Sequence, residues 1–568
     1  MSVLCLCLFC FPCLLLGSCG TDYTPGSVSD SDEEKSENEL DGDKDNDPPD
    51  TEASPSDQDS MDHSLDTDQA DAEMDVEASD PDSERADSSD TDVDLDLDAP
   101  VENDAETSEE QDVPESDWEL DLEFSPELEP DRDATGIRIS EFYTTENPAN
   151  VLSFFAEWQT DLPAATELHI ECGNDVHAVL TDAALRTEHH AFVMGLVAES
   201  RCELRLKALG QNLEYGELRA YYYVSPLPGT LYTMEARNTG KGALQPGWTL
   251  FNQSNLMNQA PIVLALVDEL GRYRWYYEHT SQAYRGDTDF HLVPEGILFG
   301  SGTYPALVSW QGKVLWTRNI GVHHQILPFG NNYLFLTFEG GCPAPLNNFF
   351  SDVINEYDPK QDKTIWTWAI CDHYVPPDIH DDWSHMNAAE PLPGEDALLF
   401  SCREQHALFK LDRSSGQIIW KMGQLGDFLI ADEDRFFRQH APEIQPNGDI
   451  LLFDNGDDRE PNIRQYSRAI QLRYVAPTKT EKGEKTPGQA WVVWSYRPSK
   501  DIFCGAFGDA DRLANGNTLV AFGRETVTSM IHEVSADNPG VLLWSLSSPV
   551  ALYRAERIPE RFGEILNY

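Results

Sequence analysis

The feature of this sequence that most limits its possible folds is a short motif that recurs six times after Pro228. In each copy a turn residue, usually Gly, is followed within a few apolar positions by a tryptophan. The six tryptophans are Trp275, Trp316, Trp366, Trp420, Trp494 and Trp544. Their spacings of 41, 50, 54, 74 and 50 residues match the length of a four-stranded blade with loops of different sizes.

A second turn marker lies between these tryptophans, for example Pro446-Asn447-Gly448, and it leads into an apolar strand. The same region has no helical periodicity. Two strand markers per unit and six units predict an all-β fold with a six-bladed β-propeller at residues 229–568. A seven-bladed ring is the alternative, if the long stretch between Trp420 and Trp494 contains another blade.

The N-terminus has the pattern of an export signal. Residues 3–16 are an apolar run that is shorter than the about 20 residues a membrane-spanning helix needs. The run ends in Leu16-Gly17-Ser18-Cys19, which resembles a bacterial lipobox. We therefore expect residues 1–18 to be a lipoprotein signal peptide and Cys19 to carry a lipid anchor, with plain secretion as the alternative. Gly20 in place of Asp favours the outer membrane, with the protein in the periplasm or at the cell surface.

Most of the negative charge of the chain is concentrated in one segment. The chain has 101 acidic and 39 basic residues, and its net charge is -62. Residues 20–135 contain 46 of the acidic and 4 of the basic residues, so this segment alone contributes -42. Like charges and little apolar surface predict that residues 19–135 are a disordered tether. The remaining -20 still opposes contact with phosphate, so we expect no nucleic-acid partner.

Residues 136–228 alternate apolar and polar side chains over short stretches, as in Cys202 to Ala208. This period of two is typical of strands with one buried face, and a run of such strands predicts a small β-sandwich of fibronectin type. Cys172 and Cys202 lie in this region, and export to an oxidising compartment predicts a disulfide between them. A bridge between Cys342 and Cys371 fits the same compartment. The pairing of these two with Cys402 and Cys504 is left open by the sequence.

Histidines recur just before the turn in four of the repeat units. They are His291, His323 with His324, His385 and His440, and the fifth unit has Asp509 and Asp511 instead. Equivalent positions of a repeat occupy equivalent places around a ring, so these side chains should converge at one end of a central channel. Together with Asn387 and Arg403 they predict a functional site. Buried structural histidines that only line the channel are the alternative.

The segments around these residues resemble those of one known family. Asp382 to Asn387, Phe400 to Arg403, Gln439-His440 and Phe453 to Gly456 are similar to motifs of the bacterial arylsulfate sulfotransferases, and the resemblance runs from the predicted sandwich almost to the C-terminus. Members of this family are exported and combine a β-sandwich with a six-bladed propeller. The resemblance implies transfer of a sulfuryl group from a phenolic sulfate ester to a phenol through a sulfated histidine, without a nucleotide donor.

The resemblance also implies roles for individual residues. His440 matches the nucleophile. The residues that match those holding the sulfuryl oxygens are His385, Asn387 and Arg403. A further histidine of the family falls at His323 or His324, and the sequence leaves that choice open.

These residue types suit sulfuryl transfer. The transferred group passes through a trigonal state with charge on its oxygens, so catalysis depends on positioning and on electrostatic stabilisation. A neutral imidazole at His440 can attack sulfur, Arg403 offers two donors in a fixed fork, and a neighbouring histidine can exchange the proton of the phenol. The sequence contains no Gly-rich phosphate-binding loop, and we expect neither a cofactor nor a metal at this site.

Two other functions compete with this interpretation. The propeller would be a binding module if the channel residues were only structural. An arylsulfate hydrolase would transfer the group to water instead of a phenol. The partners that follow from the main interpretation are an aryl sulfate donor, a phenolic acceptor and a membrane. The sequence leaves open whether the chain is a monomer or a homodimer.

Overall fold

The computed structural model describes residues 136–254, 262–279, 289–300, 302–339, 341–346, 349–459, 465–480, 483–523 and 528–565. The predicted signal peptide, the predicted lipid-anchor residue Cys19 and the acidic tether lie outside these residues. Within them the fold is all-β, and its helical elements are two single 3-10 turns at Ile370–Asp372 and Asp432–Asp434. In this part of the chain no helix has the length and apolar character needed to cross a membrane.

The first five strands form most of the N-terminal sheet. They are β1 (Ile139–Glu146), β2 (Ser153–Cys172), β3 (Val176–Met194), β4 (Arg201–Gly210) and β5 (Tyr215–Tyr223). Apolar and polar side chains alternate along β4, where Leu204 and Leu206 are buried while Arg205 between them is partly exposed. A disulfide between Cys172 and Cys202 joins the end of β2 to the start of β4.

The long second strand of this sheet changes its pairing partner along its length. β2 pairs with β1 through residues 154–160 and with β4 through residues 164–171, and β3 pairs along the other side of β2. The register of the β2–β3 pair shifts between Gln159 and Thr166, where β2 changes partner. Because one long strand serves both pairings, the hydrogen bonds form a single continuous sheet.

Six further sheets of four or five strands follow in the part of the chain that the structure describes. Their strands begin with β6 (Glu235–Asn238), β7 (Trp248–Ser254), β8 (Ile262–Val267), β9 (Tyr273–His279), β10 (Phe290–Val293), β11 (Gly296–Phe299), β12 (Ala306–Val308) and β13 (Val314–Thr317). The next are β14 (His323–Phe329), β15 (Asn332–Glu339), β16 (Ser351–Asp358), β17 (Lys363–Ala369), β18 (Met386–Pro391), β19 (Ala397–Cys402), β20 (Ala407–Asp412) and β21 (Gln417–Gly423).

The remaining strands complete the chain. They are β22 (Phe428–Leu429), β23 (His440–Ile444), β24 (Ile450–Asp454), β25 (Arg468–Val475), β26 (Thr478–Lys479), β27 (Lys485–Thr486), β28 (Gly488–Tyr496), β29 (Asp509–Arg512), β30 (Thr518–Phe522), β31 (Ser529–Val534), β32 (Leu542–Ser548), β33 (Ala551–Ile558) and β34 (Gly563–Ile565). A second disulfide, between Cys342 and Cys371, lies beside the β14–β17 sheet.

The six sheets share one strand order. Consecutive strands lie side by side in β10–β13, in β14–β17 and in β18–β21. The fourth sheet has the order β23, β24, β25, β28 and β22, and β26 and β27 form a separate ribbon. The long spacing between Trp420 and Trp494 therefore contains β22, a 3-10 turn and this ribbon in addition to the strands of one sheet.

Two of the six sheets combine strands from the start and from the end of residues 229–568. β6 adds to β29–β32, and β33 precedes β7, β8 and β9 in a sheet of its own. β34 returns to the N-terminal sheet, where residues 563–565 pair with residues 191–193 of β3. The sheet expected from residues 136–228 thus takes its sixth strand from the C-terminus.

Three of the six repeat tryptophans link one sheet to the next. They lie on the fourth strand, and their indole N–H groups donate to carbonyls in the turn between the third and fourth strands of the neighbouring sheet. These bonds join Trp275 to Trp310 at 2.7 Å, Trp494 to Asp537 at 2.8 Å and Trp544 to Glu269 at 2.7 Å. The glycines that precede two repeat tryptophans, Gly271 and Gly312, have φ of 79° and 82°, which a residue with a Cβ adopts only with strain. The motif therefore turns the chain and joins the sheets.

Apolar side chains fill the spaces between successive sheets. One cluster joins Leu336 of β15 to Phe400 of β19, and another joins Phe453 of β24 to Phe522 of β30. This packing brings the first strands of the sheets next to each other, since β10 contacts β14, β14 contacts β18, β18 contacts β23, β23 contacts β29 and β29 contacts β33. Residues at the starts of these strands consequently converge.

Candidate active site

Three of the predicted histidines meet at the starts of neighbouring first strands. His324 is the second residue of β14, His385 precedes β18 and His440 begins β23. The centre of the His324 ring lies 5.0 Å from the centre of the His385 ring and 6.5 Å from that of His440. His291 contacts Asp289 instead, with 3.1 Å between Nε2 and Oδ2. The structure therefore assembles His324, His385 and His440 into one cluster.

The backbone is irregular at these positions. The ladder between a first strand and its neighbour shifts register within residues 323–326, 386–388, 440–443 and 552–555. His324, His385 and Ala441 also have left-handed φ of 55°, 40° and 48°. Such a conformation costs about 1 to 3 kcal/mol at a residue other than glycine. Bulges of this kind re-aim side chains relative to a regular strand, and here they recur in the sheets that carry the cluster.

His440 is buried and neutral. Only 1% of the residue is exposed, and its Nδ1 lies 2.8 Å from Oδ1 of Asn455 and 3.2 Å from the carbonyl oxygen of Arg438. Burial lowers the pKa of His440 well below its ordinary value, and the positive charges of Arg554 and Arg403 lower it further. At neutral pH the imidazole therefore keeps the lone pair that a nucleophile needs.

The two adjacent histidines of β14 have separate surroundings. His324 contacts His385 and His440, and burial together with these rings lowers its pKa well below the ordinary value. His323 stacks on Phe338 with ring centres 3.9 Å apart, and its Nε2 lies 3.2 Å from Oδ1 of Asp352. The two Nδ1 atoms are 2.9 Å apart. His324 is therefore the residue that faces the cluster, and His323 lies behind it.

Carboxylates orient His385 and Arg403. Nδ1 of His385 lies 2.5 Å from Oδ2 of Asp382, and about a quarter of the His385 side chain is exposed. Arg403 bonds to Glu404 through Nη1, and its Nη2 lies 3.5 Å from Oδ2 of Asp457. The backbone N–H of Arg403 donates to the carbonyl of His385 at 3.0 Å, which couples the two residues.

Asn387 contacts the segment that carries the nucleophile. It is fully buried, and its Nδ2 donates to the carbonyl of Gln439 at 2.8 Å. Its Oδ1 is buried and has no hydrogen-bond partner among the residues that the structure describes. The contact with Gln439 fixes the residue just before His440. The role at the sulfuryl oxygens that the family resemblance implies for Asn387 stays a prediction.

Sequence reasoning missed two residues of β33. The ring centre of Tyr553 lies 6.4 Å from that of His440 and 6.1 Å from that of His324, and the guanidinium carbon of Arg554 lies 4.2 Å from the Tyr553 ring centre. Both residues are buried. They follow Trp544, the sixth repeat tryptophan, with which the repeated motif ends. Continuing the repeat to the next first strand would have found them.

The segment before β29 holds several site residues through its carbonyls. Arg403 Nη2 donates to Gly505 at 2.9 Å, and Arg554 Nη1 donates to Gly508 at 2.6 Å. Asn455 Nδ2 donates to both Cys504 and Phe507 at 2.7 Å. No sequence motif marks this segment, because its contribution comes from the backbone alone.

Buried carboxyl groups lie on or beside the first strands. They are Asp289, Glu390, Glu443, Asp509, Asp511 and Glu556. Burial and the neighbouring carboxylates raise the pKa of Glu556 to about 7, although the charge of His291 opposes this. Burial opposes the protonation of His291, yet the Asp289 carboxylate raises its pKa to about 9. Glu443, Asp511 and Glu556 also line a cavity of about 670 Å³.

One group of possible metal ligands lies beside the cluster. Among the residues that the structure describes, Asp382, His385 and Glu404 are the group whose ligand atoms lie within 4.8 Å of one another. Glu404 already pairs with the guanidinium groups of Arg403 and Arg438. Two fixed cations at one ligand disfavour a third.

The fold has distant similarity to several solved structures. Hsv2 from Kluyveromyces lactis is 8% identical with a TM-score of 0.28, and the alignment covers 64% of this chain and 96% of that one. The WD40 domain of Pan2 from Neurospora crassa is 8% identical with a TM-score of 0.26, covering 56% and 96%. An auxiliary nutrient binding protein from Bacteroides thetaiotaomicron is 9% identical with a TM-score of 0.27, covering 72% and 97%. These scores are too low to carry a conclusion, and no curated protein matches the chain.

A family model gives the informative match. The model of the arylsulfotransferase (ASST) family matches residues 238–542, which include all three histidines of the cluster together with Asn387 and Arg403. The match covers more than half of the chain. This chain therefore belongs to the arylsulfotransferase (ASST) family.

Proposed function

We propose that this chain moves a sulfuryl group from a phenolic sulfate ester to a phenol, in two steps, through a sulfated His440 and without a nucleotide donor. The observation that carries the proposal is a buried, neutral imidazole on which the charges of two guanidinium groups act, those of Arg403 and Arg554. A neutral nucleophile beside fixed cations suits an anionic group with charge on its oxygens. Family membership supports the same class of reaction.

In the first step the lone pair on Nε2 of His440 attacks sulfur, and the bond from sulfur to the phenolic oxygen breaks. The oxygen keeps that electron pair and takes a proton from a neighbouring imidazole. His385 is the candidate, since its ring lies in the cluster and its Nδ1 contacts the Asp382 carboxylate. The pKa of His324 is lowered well below the ordinary value, so this ring is neutral and can only exchange hydrogen bonds with the transferred group. In the second step an acceptor phenol gives its proton back to this imidazole and attacks sulfur, and His440 leaves. Arg403 and Arg554 would neutralise the sulfuryl oxygens throughout.

For the architecture, we propose that the six sheets of four or five strands are the blades of one β-propeller at residues 229–568. The contacts between successive first strands and the tryptophan links between sheets support this arrangement. We also propose that the N-terminal sheet of residues 136–228 folds over as a sandwich. The change of partner along β2 supports this, because a strand with different neighbours in its two halves can serve both layers.

For the location, we propose export, cleavage after residue 18 and anchoring through a lipid on Cys19. The two disulfides support an oxidising compartment. Mass spectrometry of the mature N-terminus tests this directly. An unmodified Cys19, or a mature chain that begins at another residue, would contradict the anchor.

The activity is tested by the release of nitrophenol from nitrophenyl sulfate by the purified chain, with and without added phenol. A transferase releases nitrophenol faster when phenol is present and forms phenyl sulfate. A hydrolase releases nitrophenol and inorganic sulfate without phenol. A binding module releases none above the rate of a His440→Ala variant, and that result would refute the proposed function.

A further inference from the structure

Asn455 is the group that contacts the ring nitrogen of His440 away from the proposed point of attack. It follows β24, it is fully buried, and its Oδ1 lies 2.8 Å from Nδ1 of His440. Both N–H groups of its amide are already used, one toward the carbonyl of Cys504 and one toward that of Phe507, each at 2.7 Å. Turning the amide over would place its oxygen against two carbonyl oxygens. The carbonyls can only accept hydrogen bonds, so they fix the amide with Oδ1 toward His440.

This orientation determines where the proton of His440 resides. Oδ1 of Asn455 can only accept a hydrogen bond, and so can the carbonyl oxygen of Arg438, which lies 3.2 Å from the same Nδ1. With two acceptors in front of it, Nδ1 carries the hydrogen of the neutral ring. Nε2 then holds the lone pair.

We infer that Asn455 is a positioning residue that holds His440 in the tautomer with a free Nε2 and keeps the proton on Nδ1 throughout the transfer cycle. The inference rests on the proposed function, because it assigns this role to the nucleophile of that reaction. Asn455 itself touches neither the donor nor the acceptor.

The choice of an amide has a consequence for the covalent intermediate. When Nε2 forms its bond to sulfur and the phenolic oxygen leaves with the bonding electrons, the ring still bears hydrogen on Nδ1 and becomes positively charged. An amide oxygen accepts this hydrogen bond but does not take the proton. The ring therefore stays cationic, which keeps the bond from nitrogen to sulfur weak. A carboxylate would stabilise the cation and slow the second step.

The charged and titratable groups around His440 oppose its protonation. They are Arg554 on β33, Arg403 after β19, His385 before β18 and His324 on β14. Asn455 adds no charge to this set. A carboxylate at the same position would be the first anion in contact with the ring.

The test compares Asn455→Ala and Asn455→Asp with a matched control, Ser467→Ala. Ser467 is also fully buried, and its Oγ donates to the carbonyl of Asn455 at 2.7 Å without contacting His440. For Asn455→Ala we expect kcat/KM for nitrophenyl sulfate to fall about 10- to 100-fold, as for other residues that orient a reactive imidazole. For Asn455→Asp we expect the acid limb of the pH profile to move to higher pH and the sulfated enzyme to persist longer when donor is supplied alone. Ser467→Ala should change neither the pH profile nor the lifetime.

A second measurement does not depend on activity. Nitrogen-15 NMR of histidine-labelled protein reports which ring nitrogen of His440 carries hydrogen, with His440→Ala used to assign the signal. We expect hydrogen on Nδ1 in the wild type and a mixture of tautomers in Asn455→Ala.

Hydrogen on Nε2 in the wild type would overturn the inference even if the enzyme transfers sulfate. An inactive wild type with hydrogen on Nδ1 would refute the proposed function and leave the positioning contact established. Equal losses of kcat/KM in Asn455→Ala and Ser467→Ala, with unchanged pH profiles, would show that Asn455 contributes only through packing.

Discussion

His323 and His324 are neighbours in the chain, but they contact different residues. His324 faces His385 and His440, whereas His323 stacks on Phe338 and approaches Asp352. We expect His324→Gln to lower kcat/KM for nitrophenyl sulfate about 100- to 1,000-fold, as for loss of one hydrogen-bond donor to a developing charge. The matched variant His323→Gln should lose less than about 10-fold.

Steady-state kinetics of the two variants check this contrast, with the thermal midpoint as a control for folding. A larger loss of kcat/KM in His323→Gln than in His324→Gln, at equal stability, would show that His323 is the residue that acts in the cluster.

The surroundings of His440 also determine how activity depends on pH. Burial and the charges of Arg554 and Arg403 lower its pKa, so the ring stays neutral until the pH falls through this lowered value. The acid limb of kcat/KM should therefore lie below about 6.5, the reference pKa of histidine. Removing a cation with Arg403→Gln should move the limb to higher pH. A wild-type limb at or above the reference value would contradict the neutral nucleophile described above.

At the scale of strands and sheets, the repeat tryptophans should contribute measurably to stability. Trp494 of β28 donates its indole N–H to the carbonyl of Asp537 in the next sheet, at 2.8 Å. Trp494→Phe keeps the apolar ring and removes this donor, so we expect a loss of about 0.5 to 1.5 kcal/mol in the free energy of unfolding. Trp491 lies on the same strand but is 37% exposed, and Trp491→Phe should change little. Equal effects in urea denaturation would show that the hydrogen bond does not link the sheets.

Much of the arrangement of strands and sheets could be predicted from the sequence. The period of the tryptophan motif predicted strands at the right places. The position of the histidines relative to the turns predicted that His291, His323 or His324, His385 and His440 would converge, and the structure brings together His324, His385 and His440 but not His291. The bulges that aim them were not predictable, because residues such as Ala441 have no side-chain chemistry that marks a left-handed backbone. Tyr553 and Arg554 were missed because β33 follows the sixth repeat tryptophan and joins a sheet whose other strands, β7 to β9, lie at the start of the repeats. The signal for them was the position of the next first strand after that tryptophan.

At the scale of the whole molecule, the charge distribution opposes the approach of an anionic donor. Residues 136–568 have a net charge of -20, and the segment at 20–135 adds -42. At about 0.15 M salt the Debye length is about 8 Å, so charges far from the site are screened there but act at low salt. Deleting residues 20–135 should therefore lower KM for nitrophenyl sulfate at low ionic strength and leave it unchanged at about 0.15 M. The thermal midpoint of the deletion variant serves as its control. A KM that rises steadily with salt in the full chain would reveal a basic surface that attracts the donor.

The pairing of β33 with β7 has a consequence for folding during synthesis of the protein. A ribosome makes residues 551–558 after the other strands of the six sheets, yet these residues supply Tyr553 and Arg554 and close the sheet that begins with Trp248. A nascent chain that extends only to β32 therefore still lacks the strand that pairs with β7. Chains interrupted before residue 551 can then neither close this sheet nor place the charge of Arg554 beside His440. The surroundings of the histidine cluster are therefore complete only after β33 has left the ribosome and paired with a strand made much earlier.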